Sequence, residues 1–76
     1  MNKQRRIIIA EIQDKLSEIR DLLEDVKDQE ECYMENIPEN LQGSERYEKA
    51  EDAVYNLEEA ISAIEEAIEY MESSVE

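Results

Sequence analysis

Histidine, tryptophan and phenylalanine are absent from this sequence, and cysteine, proline and glycine occur once each, as Cys32, Pro38 and Gly43. Each shortage removes a class of chemistry. With no His and one Cys there is no Cys/His zinc site, no internal disulfide and no His-based catalytic triad. Ser17, Ser44, Ser62, Ser73 and Ser74 have no imidazole to activate them. A single glycine excludes a glycine-rich phosphate loop, and no Asp-x-Asp-x-Asp-Gly spacing offers a calcium loop. Di-iron bundles need Glu-x-x-His, and carboxylate-pair catalysis needs a pocket that drives two pKa values apart. The expectation is a non-enzymatic protein with no catalytic, cofactor-binding or metal-binding residues.

Basic residues are also scarce. Eight Lys and Arg stand against 22 Asp and Glu, a formal net charge of −14, which argues against direct nucleic-acid binding through phosphates. Long apolar runs are missing too. Lys3, Arg5 and Arg6 followed by Ile7, Ile8, Ile9 and Ala10 imitate the opening of a signal peptide, but the run stops at Glu11. No segment approaches the ~20 residues that span a bilayer. The expectation is a cytoplasmic protein with no membrane partner, in which Cys32 is a reduced spectator thiol without a neighbouring base or second Cys.

What the sequence does hold is charged and hydrophobic residues, 39% and 41% of the chain, over a length that suits one domain. In the first half the apolar residues fall at Ile9, Ile12, Leu16, Ile19, Leu23, Val26 and Tyr33, with Glu30 interrupting. In the second they fall at Tyr47, Ala50, Val54, Leu57, Ile61, Ile64, Ile68, Met71 and Val75. Steps of three and four are the seam of a coiled-coil helix. Pro38 disfavours helix at Ile37, Gly43 suits a positive φ, and Ser44 is a good N-cap with Glu45 and Glu48 in the first turn behind it. The spacing predicts helix 1 over about 4–35, a structured turn over 36–43 and helix 2 over about 44–73.

The two stripes fit one another antiparallel. Tyr33 faces Tyr47, Val26 faces Val54, Leu23 faces Leu57, Ile19 faces Ile61, Leu16 faces Ile64, Ile12 faces Ile68 and Ile9 faces Met71. The exception is Glu30 opposite Ala50. In the same register Arg6, Arg20 and Lys27 meet Glu72, Glu58 and Glu51 on one flank, with Gln13 opposite Glu65. The other flank carries Ile8, Lys15, Leu22 and Gln29 on helix 1 and Ala53, Ala60 and Ala67 on helix 2. A lone hairpin would leave Ile8 and Leu22 in water beside a smooth Ala row. A scaffold this small, with no disulfide or metal, needs a partner. The fold expected is therefore all-α: an antiparallel two-helix coiled-coil hairpin that dimerises into a four-helix bundle, with Ile8, Leu22, Ala53, Ala60 and Ala67 at the oligomer interface.

The connection is longer than most bundle turns. Ile37 and Leu41, four residues apart, suit a hydrophobic plug over the open end of the hairpin near Tyr33 and Tyr47, with Asn36 capping a short turn that begins at Pro38. The competing reading is a recognition tip formed by Asn36, Ile37, Glu39, Asn40, Leu41, Gln42 and Arg46, beside Glu45. The stretch Glu-Asn-Ile-Pro-Glu-Asn-Leu-Gln-Gly-Ser-Glu-Arg-Tyr-Glu, from Glu35 to Glu48, followed by an acidic Ala/Leu/Ile helix, resembles a group of small uncharacterised proteins of bacteria and their phages. The similarity covers roughly 30–72, with the turn as its specific part. The resemblance implies a helical hairpin in a mobile-element context; it supplies no activity and no binding residues.

Two functions compete. The first is an interaction module, a homodimeric hairpin that binds a further protein through its turn or outer face. The second is an acidic nucleic-acid mimic that occupies the basic groove of a host nuclease or regulator, in the manner of anti-restriction and anti-CRISPR inhibitors. Its carriers would be Asp14, Asp21 and Asp28, together with Asp52, Glu59 and Glu66, which recur each heptad on the outer face. If Arg6, Arg20 and Lys27 are committed between the helices, that face is nearly uninterrupted acid.

Overall fold

The computed structural model describes all 76 residues as two helices, α1 (Lys3–Glu35) and α2 (Glu45–Ser74), packed along one another, with a 3₁₀ turn at Glu39–Leu41 between them. The chain is an all-α helical hairpin with no strand, a rod of 59 × 15 × 13 Å. No helix is long and apolar enough to cross a membrane. The helix bounds fall within a residue of those expected, because caps set them. Ser44 accepts the backbone N–H of Tyr47 at 3.4 Å and starts α2, with Glu45 and Glu48 in the first turn where the helix dipole favours acids. Asn2 plays the same part for α1, its side-chain oxygen accepting the Arg5 N–H at 2.8 Å.

The turn departs from expectation in three ways. Asn36 closes α1 instead of opening the 3₁₀ turn: its Nδ2 donates to the Cys32 carbonyl at 2.9 Å and its backbone N–H to the same oxygen at 3.1 Å. The N-cap of the short turn is Pro38, with no side-chain cap bond. Gly43 does not take positive φ. The chain reverses through right-handed bonds instead, Leu41 N–H to Pro38 O at 2.8 Å and Ser44 N–H to Leu41 O at 3.0 Å. Finally, the plug is half built. Ile37 is buried, whereas Leu41 is 45% exposed. A spacing of four stacks two side chains on an α-helix but not on a 3₁₀ turn, where residues three apart eclipse.

α2 faces inward as its stripe predicts. Ala50, Val54 and Ile61 are buried, and Tyr47, Leu57, Ile64, Ile68, Met71 and Val75 are half-buried. The pairing level is also close to expectation. Gln13 Nε2 donates to the Ile68 carbonyl at 3.3 Å, one residue from the predicted opposition of Ile12 and Ile68.

α1, however, is rotated about its axis. Its half-buried residues include Ile9, Leu16 and Leu23 together with Gln13, Arg20 and Lys27, three of the row expected on the flank. Ile12, Ile19, Val26 and Tyr33, assigned to the seam, are instead 41–49% exposed. Gln13 turns its amide onto the Ile68 carbonyl, and the half-buried Arg20 and Lys27 pair their charged ends with Asp21 and Asp28 on α1 while their stems lie inward, which lets this row take the inner place. In consequence the hairpin has a thin core. Only Ile37, Ala50, Val54 and Ile61 are buried, and none of their side chains is wholly out of reach of water.

The rotation also removes the predicted ion pairs between helices. Arg20 meets Asp21 at 3.2 Å, and Lys27 meets Asp28 at 3.4 Å and Glu31 at 3.8 Å, all on α1. The remaining pair, Lys49 with Glu45 at 3.2 Å, lies within α2. Neither Arg6–Glu72, Arg20–Glu58 nor Lys27–Glu51 forms. Once these stems lie against α2, the acids next along α1 are the nearer partners. Lys27 is held above the ordinary lysine range first by its hydrogen bond to Asp28, with burial opposing; the charges of Asp28, Glu31 and, across the pair, Glu58 add to the rise.

Candidate protein-interaction surfaces

Three surfaces follow from this geometry. The most extensive is the outer face of α1. Ile8 and Leu22, expected there, are exposed, Leu22 to 64%. The turning of α1 adds Ile12, Ile19, Val26 and Tyr33 to the same side. Together with Lys15 and Gln29 they stand at steps of four and three, from Ile8 through Ile12, Lys15, Ile19, Leu22, Val26 and Gln29 to Tyr33. That is a second complete seam on one helix, running about 37 Å at 1.5 Å per residue. Its signal was already in the sequence. Ile12, Ile19, Val26 and Tyr33 complete either seam, with Ile9, Leu16 and Leu23 or with Ile8 and Leu22, and local spacing does not choose between them. Ala53, Ala60 and Ala67, the small row of α2, are half-buried.

The second surface is the tip. Glu39, Asn40, Leu41, Gln42 and Arg46 are exposed, and the amides of Asn40 and Gln42 take no part in the side-chain bonds of the turn, which belong to Asn36 and Ser44. Ile37 leaves this group, because its side chain is buried, and Asn36 is engaged with Cys32. Beside the tip lies an open concavity of about 460 Å³ lined by Glu30, Tyr33, Glu45, Arg46, Lys49 and Ala50. Glu30 and Ala50, the one mismatched level of the expected register, both line it, so the carboxylate meets solvent instead of a core. Lys49 was not anticipated here. Its position three residues after Arg46, on the same side of α2, is the signal that could have found it.

The third surface is acidic. Asp14, Asp21, Asp28, Asp52, Glu59 and Glu66 are all exposed. They are not equivalent, since Asp21 and Asp28 hold Arg20 and Lys27, and Asp14, Asp52, Glu59 and Glu66 enter no ion pair. No group of three His, Cys, Asp or Glu side chains is placed to hold a metal ion. Compared with protein-family models, curated proteins and solved structures, the chain finds no match.

Proposed function

We propose that this chain is a non-enzymatic protein-interaction module of the cytoplasm: an acidic helical hairpin that self-associates through the apolar face of α1 and offers its turn to a further protein. One observation carries the reading. Four residues are buried, while six large apolar side chains of α1 stand exposed in a single row. A patch of that kind marks an interaction site. The resemblance of Glu35 to Glu48 to small bacterial and phage proteins adds the mobile-element context. Light scattering at tens of micromolar chain tests it. The expected result is a dimer mass, shifted towards monomer and reduced helicity by Leu22→Glu; a monomeric parent chain at that concentration overturns self-association.

A second reading, an acidic nucleic-acid mimic that inhibits a nucleic-acid-binding host enzyme, is favoured by Asp14, Asp52, Glu59 and Glu66, exposed and unpaired in heptad rows. Capture of partners from a bacterial lysate under a salt titration separates the two. Mimicry requires basic nucleic-acid-binding partners, competition by DNA and steep loss with salt. Binding through an apolar face or the tip shows little loss with salt.

A further inference from the structure

Resting on the self-association reading, we infer that the occupant of the outer α1 face is the α1 of a second copy, running antiparallel with its two-fold axis between Ile19 and Leu22. The argument starts from symmetry. In a two-fold interface, whatever residue i touches must touch i in return. Setting α1 antiparallel to itself about that point pairs Ile19 with the partner's Leu22, Lys15 with the partner's Val26, Ile12 with the partner's Gln29 and Ile8 with the partner's Tyr33. Every level of the exposed row then has a counterpart, and no polar residue meets a polar one. Parallel pairing fails this test, since it sets Lys15 against Lys15 and Gln29 against Gln29 within the seam.

One charged contact fits the same arrangement. The row is bordered on its outer side by Glu11, Glu18 and Asp25, and Lys15 is the one base on it. Antiparallel pairing lays the Lys15 stem over the partner's Val26 and brings its ammonium beside the partner's Asp25, between its own Glu11 and Glu18. Each copy thus places one cation into the acidic border where two negative flanks approach. The interface deepens the site already described by adding Ile12, Ile19, Val26 and Tyr33 to Ile8 and Leu22; it ends at Tyr33, one wall of the concavity beside the tip, and leaves Glu39, Asn40 and Gln42 beyond its last level.

Cysteine cross-linking reads the direction. In a Cys32→Ser background, Ile8→Cys and Tyr33→Cys are made separately; both positions are exposed, and on one helix they lie about 37 Å apart. A disulfide needs Cα atoms within about 7 Å. Under oxidation, the expected result is no covalent dimer from either variant alone and a covalent dimer from their mixture, joined by the peptide carrying position 8 and the peptide carrying position 33. Covalent dimers from each variant alone show parallel pairing and overturn the inference. A dimer by sedimentation that no combination cross-links places the interface elsewhere and also overturns it, leaving self-association standing. A chain that sediments as a monomer removes both.

Discussion

At the scale of single residues, the turn separates side chains that hold the hairpin from side chains that are free. Ile37 is 6% exposed and closes the end of the helix pair, so Ile37→Ala removes buried methylenes and leaves a cavity, at a cost of about 2–4 kcal/mol. Leu41→Ala, at an exposed position four residues on, is expected to shift urea unfolding by less than about 1 kcal/mol. Comparable losses for both would show that Leu41 is a plug after all. Gly43 gives the opposite sign. Its φ is not positive and nothing lies within 4 Å of an added Cβ, so Gly43→Ala should stabilise by about 0.4–1 kcal/mol through the unfolded chain. Destabilisation in the same measurement would return Gly43 to the left-handed turn that its residue type suggested. Asn40→Ala with Gln42→Ala should leave melting unchanged, because neither amide supports the turn.

At the scale of the helix, the rotation of α1 decides what its charges do. Arg20 and Lys27 pair along their own helix with Asp21, Asp28 and Glu31. A double-mutant cycle on Lys27 and Glu51, the pair expected from the heptads, should therefore show no coupling beyond the error of the measurement. A clear coupling would show that the seam stands as the spacing drew it, with Ile19 and Val26 inside. The sign with pH follows from the raised lysine pKa. The contribution of Lys27 is fully present below the ordinary lysine range, declines as pH rises from there, and is gone once the solution is more alkaline than its raised pKa. The helix bounds and the Ser44 cap were legible, because Ser44 and Pro38 act on their immediate neighbours; the Asn2 cap and the closing role of Asn36 were found only in the structure. The rotation was not legible, because Ile12, Ile19, Val26 and Tyr33 belong equally to two seams.

At the scale of the whole molecule, a thin core and a strong net charge oppose each other. Self-association buries the outer row but brings two chains of charge −14 together. Screening weakens that repulsion and leaves apolar burial in place. Raising NaCl from 50 to 500 mM should therefore tighten the dimer severalfold in sedimentation equilibrium, a direction opposite to that of a complex held by acid–base attraction. Stability should depend on chain concentration for the same reason, since a dimer that forms only from folded chains raises the midpoint by mass action. A melting temperature unchanged across a hundredfold dilution would mean that the hairpin stands alone. The acidic rows then remain as a separate surface, with Asp14, Asp52, Glu59 and Glu66 as the members that no base neutralises.

The shortage of His, Cys, Gly and basic residues excludes chemistry at every scale and leaves spacing and charge to shape the chain. By itself the sequence determined two helices, their ends, their antiparallel level and the acidity of the exposed rows. Each depends on spacing along one helix, on a cap a few residues away, or on charge that cannot be buried. Only the tertiary structure decided which side of α1 turns inward, that Ile37 is buried and Leu41 is not, and that Arg20 and Lys27 serve their own helix. Those outcomes depend on how the stems of Gln13, Arg20 and Lys27 compete with Ile12, Ile19 and Val26 for one neighbouring surface, a comparison between helices that periodicity along one helix does not contain.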